Sequence, residues 1–335
     1  MTVELQAGEK IDALARYYSD QANAGSFMMA LRERKVSLEE YKSFITMLYP
    51  LVVGFNAGFI RSIAKLGELQ TSPQARELVE EILSVDHIRH SHRVQVLAAR
   101  LRTLARKEQL PSLRALAAQL KEEQEHNDYY RQMLEIHGIE HEVIYSAFEQ
   151  NLRGIAVEER DRMTRLVLTA LREGHPASAF PSTSFSQFIF ALFHYLLRIV
   201  NDPSVTFIGY NAVQSGIEFS LVKVVSESVF PAVAGTRDRP QINRLLVPDA
   251  DLCEAGAVLP SIKWWDEHAD YGQGGRIELQ HVRHGRDYLN RNLKEQSEVK
   301  EALQRVDDAL RLLAATVGAW EQRLPAYPLR KDEGA

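Results

Sequence analysis

Residues 205–225, VTFIGYNAVQSGIEFSLVKVV, are apolar around most of a helical circumference, and on that background Asn211, Gln214 and Glu218 share one stripe. A helix of this kind is a central element of a core, so the rest of the chain is expected to pack around it. Glu218 raises the first chemical question. Its neighbours three and four positions away are Gln214, Ser215, Leu221 and Val222, none of them a cation, so its charge needs a partner from another element. An unpaired buried carboxylate costs several kcal/mol; a distant Arg or Lys, a proton or a metal ion can each offset that cost.

Outward from this helix, apolar residues recur at helical spacing through nearly every long segment, and no run of period-two alternation is bounded by hairpin turns. The chain reads as all-α, without strands. Helices are expected at 8–34, 38–67, 73–107, 111–137, 157–173, 184–200, 203–229, 260–271, 276–293 and 296–323. Ser37 with Glu40 three residues on forms a capping box, Gly138 suits the end of the fourth helix, and Asp202-Pro203 reads as an N-cap followed by proline at the first helical position. The four prolines within 231–260 mark a long connection, with one short helix at 241–246. The organisation expected is one helical domain over 1–335, with an N-terminal helical layer (1–107), a core (110–292) and a C-terminal helix (296–323).

Composition narrows the classes. With 335 residues, 45% of them hydrophobic, the chain can bury a sizeable core. Forty Lys and Arg are scattered among 45 Asp and Glu, a formal net charge of −5, so nucleic acid is not an expected partner. The first residues carry no export-type leader, and the most apolar stretch, 188–197, is interrupted by His194 and falls well short of the ~20 residues a spanning helix needs. A cytoplasmic protein away from membranes is the expectation. Cys253 is the only cysteine, which rules out an intramolecular disulfide and any site built from several thiolates. A bound metal would have to use His, Asp, Glu and water.

Two further segments place polar residues where apolar ones belong. The stripe Leu113, Leu116, Leu120 continues through Glu123, Asn127, Tyr130 and Leu134, so Glu123 interrupts a core face, and His126 stands three residues on. Helical bundles present a carboxylate and an imidazole to iron or manganese at that spacing; a solvated acidic face is the plainer alternative. In WWDEHADYGQGGRIELQHVRHGRDYL, which begins at Trp264, His268, Glu278, His281 and His284 are crowded near two tryptophans, and Glu278 and His281 again stand three apart. An exposed helix rich in His and Arg is the plainer reading there, above all for His284. A competing cluster joins Asp86 and His90 on the stripe of Val79, Leu83 and Val94, flanked by His87 and His92; a hydrogen bond between Asp86 and His90 would satisfy both groups.

Taken in order, these residues resemble the heme-oxygenase-like fold, in its non-heme di-iron oxidase and oxygenase branch. The stretch LRALAAQLKEEQEHNDYYRQMLEIHGI is similar to the family's first metal helix. FPSTSFSQFIFALFHYLL followed by DPSVTFIGYNAVQSGIE resembles its central helix pair, the second carrying a single Glu ligand. The resemblance covers about residues 110–292 and implies a heme-oxygenase-like helical bundle with extra N-terminal helices. In the family the third metal helix supplies a His, an acidic residue four later and a His three after that. Glu278 and His281 match the last two, but residue 274 is glycine, and His268 can substitute only if the stretch 271–275 is a loop that folds it back.

The resemblance implies that Glu123, His126, Glu218, His268, Glu278 and His281 bind one or two iron ions, manganese being an alternative, with Asn211 and Gln214 behind them. The activity it implies is oxidation of a small organic substrate by dioxygen, through hydroxylation, N-oxygenation, desaturation or carbon–carbon cleavage. Heme is not expected, because no His precedes His87, and a cysteine nucleophile is not expected, because Cys253 lies in a connection without an evident His partner. Two rivals stay open, a cofactor-free enzyme on the same fold and a helical binding or scaffold protein whose core carboxylates form structural ion pairs. The sequence leaves a homodimer open.

Overall fold

The computed structural model describes residues 6–63, 72–84, 91–109, 111–144, 146, 150, 154–175, 191–192, 194–195, 207–236, 239–252, 258–269, 275–322 and 324. Twelve helices are labelled in chain order: α1 Ala7–Asn23, α2 Ser26–Arg32, α3 Leu38–Ile63, α4 Pro73–Ser84, α5 Ser91–Lys107, α6 Pro111–Ile136, α7 Val157–Arg172, α8 Phe207–Val224, α9 Phe230–Ala234, α10 Pro260–His268, α11 Gly275–Asn292 and α12 Gln296–Glu321. The only strand structure among the described residues is a two-residue antiparallel pair, Gly235–Thr236 with Arg239–Pro240. The expected helical class therefore holds, with this small ladder added to it.

The local signals act as their chemistry requires. The Glu40 carboxylate accepts from the Ser37 backbone N–H at 2.7 Å while Ser37 Oγ accepts from the Glu40 N–H at 3.3 Å, which closes the capping box of α3. Gly138 follows α6 at φ +70°, a conformation that glycine adopts without a steric cost.

Three expectations away from the site need correction. The helix expected at 8–34 is two helices, because the chain turns at Ala24 and the carboxylate of Glu321, from the far end of the chain, accepts the Phe27 N–H at 3.1 Å and so caps α2. The helix expected to stop at 229 runs on to Ala234 through a π turn, Val225–Val229, closed by the Phe230 N–H on the Val225 carbonyl. Pro231 has no N–H to give and its ring crowds the carbonyl of Glu227, so the preceding turn widens. The short helix expected at 241–246 is only a turn at 244–246, and a 3-10 turn follows at Ala250–Leu252. Asp202-Pro203 lies outside the described residues, as does most of the helix expected at 184–200.

The stripe that decides the fold is indeed central. α8 packs against α1, α3, α11 and α12, burying Tyr210, Ala212, Val213 and Ile217. Two glycines set how closely its neighbours come. A Cβ at Gly216 would lie 2.7 Å from Val306 Cγ1 of α12, and one at Gly285 of α11 would lie 2.5 Å from Ser215 Oγ of α8. α1 touches α8, α11 and α12 alike, so the first helix belongs to the core.

At the other end of the bundle, aromatic residues lock α3, α6 and α10 together. Trp265 Nε1 donates to Tyr41 Oη at 2.7 Å, Tyr130 Oη donates to the Ile45 carbonyl at 2.7 Å, and the Trp264 ring meets Tyr130 edge-on at 4.9 Å. Satisfied polar tips on buried rings fix rotamers as well as area, which holds the floor of the cavity described next.

Candidate functional site

The site is a cavity lined by residues of α6, α10 and α8. On α6 the run Tyr130, Met133 and Leu134 faces the core, and His126, one turn earlier, is buried at 8% exposure. α10 starts with Pro260 at its first turn and ends at His268, after which Ala269 is extended. The helix expected at 260–271 therefore stops short, and α11 begins separately at Gly275; residues 270–274 lie outside the described set. His268 consequently faces inward from a helix end. Its ring lies 5.0 Å from that of His126, centroid to centroid, and stacks on Trp264 at 3.9 Å.

The orientation of His268 follows from its contact. Nδ1 lies 2.7 Å from the Trp264 carbonyl, which can only accept, so Nδ1 donates in this contact and Nε2 is the ring nitrogen left for other partners. A backbone carbonyl that orients an imidazole in this way is the arrangement found behind metal-ligating histidines. The neighbouring Glu267 is buried but engaged by Lys263 Nζ on the same helix. Burial works against the Lys263 charge, and the hydrogen bond to Glu267 together with the charges of Glu267 and Asp266 outweighs it, leaving the lysine above its ordinary value.

From α8, Gln214 Nε2 donates to Glu218 Oε1 at 2.7 Å, and both residues line the same cavity as His126 and His268. The cavity measures about 160 Å³. Beyond these polar groups its walls are apolar, with Phe44 and Leu48 from α3, Leu221 and Val225 along α8 and its π turn, and Leu313 and Val317 from α12. Tyr18 of α1 also reaches it, with its hydroxyl donated to Asp307 at 2.7 Å; burial, helped by that carboxylate, pushes the phenol far above its usual range.

Among the described residues Asn211 Oδ1, Gln214 Oε1 and Trp264 Nε1 are buried without a hydrogen-bond partner, and of these residues Gln214 and Trp264 line the cavity.

Of the six residues that the family resemblance implies as ligands, three have described side chains: His126, Glu218 and His268 all line one cavity. Glu123 and His126 do stand one turn apart on the continuous α6, and Glu278 and His281 one turn apart on α11. The side chains of Glu123, Glu278 and His281 lie outside the described residues, as do Asp86, His87, His90 and Cys253. Among the described residues no three His, Cys, Asp or Glu side chains form a group able to hold a metal ion. His284 is exposed. Residues the sequence did not single out complete the chamber, Tyr18, Met28 and Leu313 among them; apolar residues lining a cavity carry the same periodic signal as apolar residues filling a core.

Comparison with models of protein families, with curated proteins and with solved structures finds no match for this chain.

Proposed function

We propose that the protein is a non-heme iron-dependent oxidase or oxygenase, on a heme-oxygenase-like helical bundle, that acts on a small organic molecule with dioxygen. The observation that carries this reading is the convergence of His126 and His268, rings 5.0 Å apart, on a buried cavity that Glu218 also lines. Carboxylate and imidazole donors suit ferrous iron or manganese. The Trp264 carbonyl accepts from His268 Nδ1 and leaves Nε2 toward other partners, and Gln214 Oε1, buried without a partner among the described residues, lines the same cavity.

His126, Glu218 and His268 would hold the ion together with Glu123, Glu278 and His281, from one turn of α6 and one of α11. One or two ferrous ions held there would supply the redox chemistry for oxidation by dioxygen. The chain's own residues do the rest. The Trp264 carbonyl orients His268, Gln214 holds Glu218 through a hydrogen bond, and the apolar walls keep water away from the reacting groups.

The decisive experiment is elemental analysis of protein loaded with ferrous iron without air, followed by measurement of oxygen uptake. Bound iron with oxygen consumption is expected. A folded protein that binds no iron would overturn the reading in favour of an enzyme without a metal or a scaffold.

A further inference from the structure

Among the described residues that line the cavity, Tyr18 is the only tyrosine, and its hydroxyl donates to Asp307 Oδ1 at 2.7 Å. The other oxygen of that carboxylate accepts from Arg311 Nε at 2.7 Å, which fixes the proton acceptor in place. Tyr17, the preceding residue of α1, meets the Tyr18 ring edge-on with centroids 5.2 Å apart. The two phenols differ in their surroundings. Tyr18 is 6% exposed and Tyr17 is 56% exposed, so the pair joins the cavity wall to solvent.

A phenol that loses an electron becomes a strong acid, so a buried tyrosine is oxidised readily where a base takes the proton in the same step. Burial and the Asp307 carboxylate hold the Tyr18 proton on the phenol far above the usual range, which closes the route through a free phenolate and leaves the coupled one. The tryptophans of the wall are placed differently. Trp264 Nε1 has no acceptor among the described residues, and Trp265 Nε1 donates to the fully buried Tyr41.

We propose that Tyr17 and Tyr18 form a one-electron path from solution to the cavity, with Asp307 as the proton acceptor of Tyr18. That an oxidant arises in the cavity rests on the proposed function; the path between the phenols and solution does not. Tyr18 gives one electron to a one-electron oxidant in the cavity while its O–H bond breaks and an O–H bond forms on Asp307, leaving a neutral phenoxyl radical. Tyr17 then gives an electron to Tyr18, the proton returns from Asp307, and Tyr17 releases its own proton to water. A soluble thiol or ascorbate, itself oxidised by one electron, restores Tyr17 with one electron and one proton.

The first test needs no metal. Full-length metal-free protein carrying 3-aminotyrosine in place of Tyr18, a side chain easier to oxidise than tyrosine, is mixed with the one-electron oxidant hexachloroiridate(IV), and the radical at position 18 is followed by freeze-quench electron paramagnetic resonance. Rapid radical formation is expected, and Tyr17→Phe, which keeps the ring and removes the oxidisable hydroxyl, should lose it. Asp307→Asn should slow it about a hundredfold, the effect of removing a positioned base. Circular dichroism of the same samples shows whether the Asp307→Asn protein is folded; the exposed Tyr17→Phe change decides the path in either case. An unchanged rate in Tyr17→Phe would overturn the proposal. The second test loads the unmodified chain with ferrous iron and admits oxygen in the presence of ascorbate. A tyrosyl radical is expected to persist longer in Tyr17→Phe than in the parent and to be lost in Tyr18→Phe. A protein that takes no iron but passes the first test would keep the path and defeat the iron reading; iron uptake with an unchanged rate in Tyr17→Phe would do the reverse.

Discussion

The imidazole rings of His126 and His268 lie 5.0 Å apart and 57° from parallel, each buried, although the two residues are 142 positions apart in the chain. One comes from the middle of a long helix and the other from the end of a short one.

His126→Ala and His268→Ala are each expected to weaken iron binding by about tenfold or more while leaving the helical content unchanged. The check is an anaerobic ferrous titration with circular dichroism of the same samples. Unchanged iron affinity in both variants would mean that the histidine pair is a packing feature.

Glu218→Ala separates a metal ligand from half of an ion pair. As a ligand its loss should abolish iron binding and leave the metal-free protein close to its parent in denaturant stability. Loss of one partner of a buried ion pair should instead cost about 3–5 kcal/mol, read from the urea midpoint and slope. Full iron content with that loss of stability would assign Glu218 a structural role.

Much of the fold was legible because its causes are local. The Ser37–Glu40 box and Gly138 declare helix ends within four residues of themselves, and the Glu218 stripe declares a core helix by periodicity alone. The break before α2 was not legible, because the group that caps it is Glu321, 294 positions away. The same limit applied to the site. Glu218 stands out as a polar residue on an apolar helix, His126 by its spacing from Glu123 and His268 by its crowding with tryptophans and further histidines, but Tyr18 and Met28 become cavity walls only through the packing of α1 and α2 against the core.

Gly285 tests whether the seating of α11 matters to the site. A methyl group there would sit 2.5 Å from Ser215 Oγ, so Gly285→Ala should push α11 away from α8 and cost about 1–3 kcal/mol. Adding Ser215→Gly should recover most of that loss. Because Glu278 and His281 ride on α11, the single variant should also bind iron more weakly and the double variant should regain it. A stability loss with no change in iron affinity would detach α11 from the metal.

Glu321 makes stability depend on pH. Burial raises its carboxyl above the usual value of 4.5, and the hydrogen bond from the Phe27 N–H only partly opposes this. The folded state therefore holds the proton more tightly than the unfolded state. The stabilising contribution is complete below about pH 4.5 and is lost as pH rises through the raised value. Glu321→Gln keeps an oxygen for the Phe27 N–H and carries no charge. It should equal the parent in acid and become the more stable of the two toward neutrality, in urea denaturation across that range. A difference that does not change with pH would show that the ionisation of Glu321 carries no weight.

The final prediction concerns the two histidines of α11. The helix turns by about 100° per residue, so Glu278, Val282, Gly285 and Leu289 occupy one stripe within about 60°. Val282 and Leu289 are buried and Gly285 abuts Ser215, so this stripe faces the core. His281 is displaced from Glu278 by about 60° and stays on the flank of the stripe, whereas His284 is displaced by about 120° on the same side and is exposed. His281→Ala should lower the iron bound per chain and His284→Ala should leave it unchanged, as measured by elemental analysis after anaerobic loading. The reverse result would mean that α11 is rotated relative to the metal. An effect from neither would remove α11 from the ligand set, and loss of iron in Asp86→Ala or His90→Ala would move the site to the α4–α5 region.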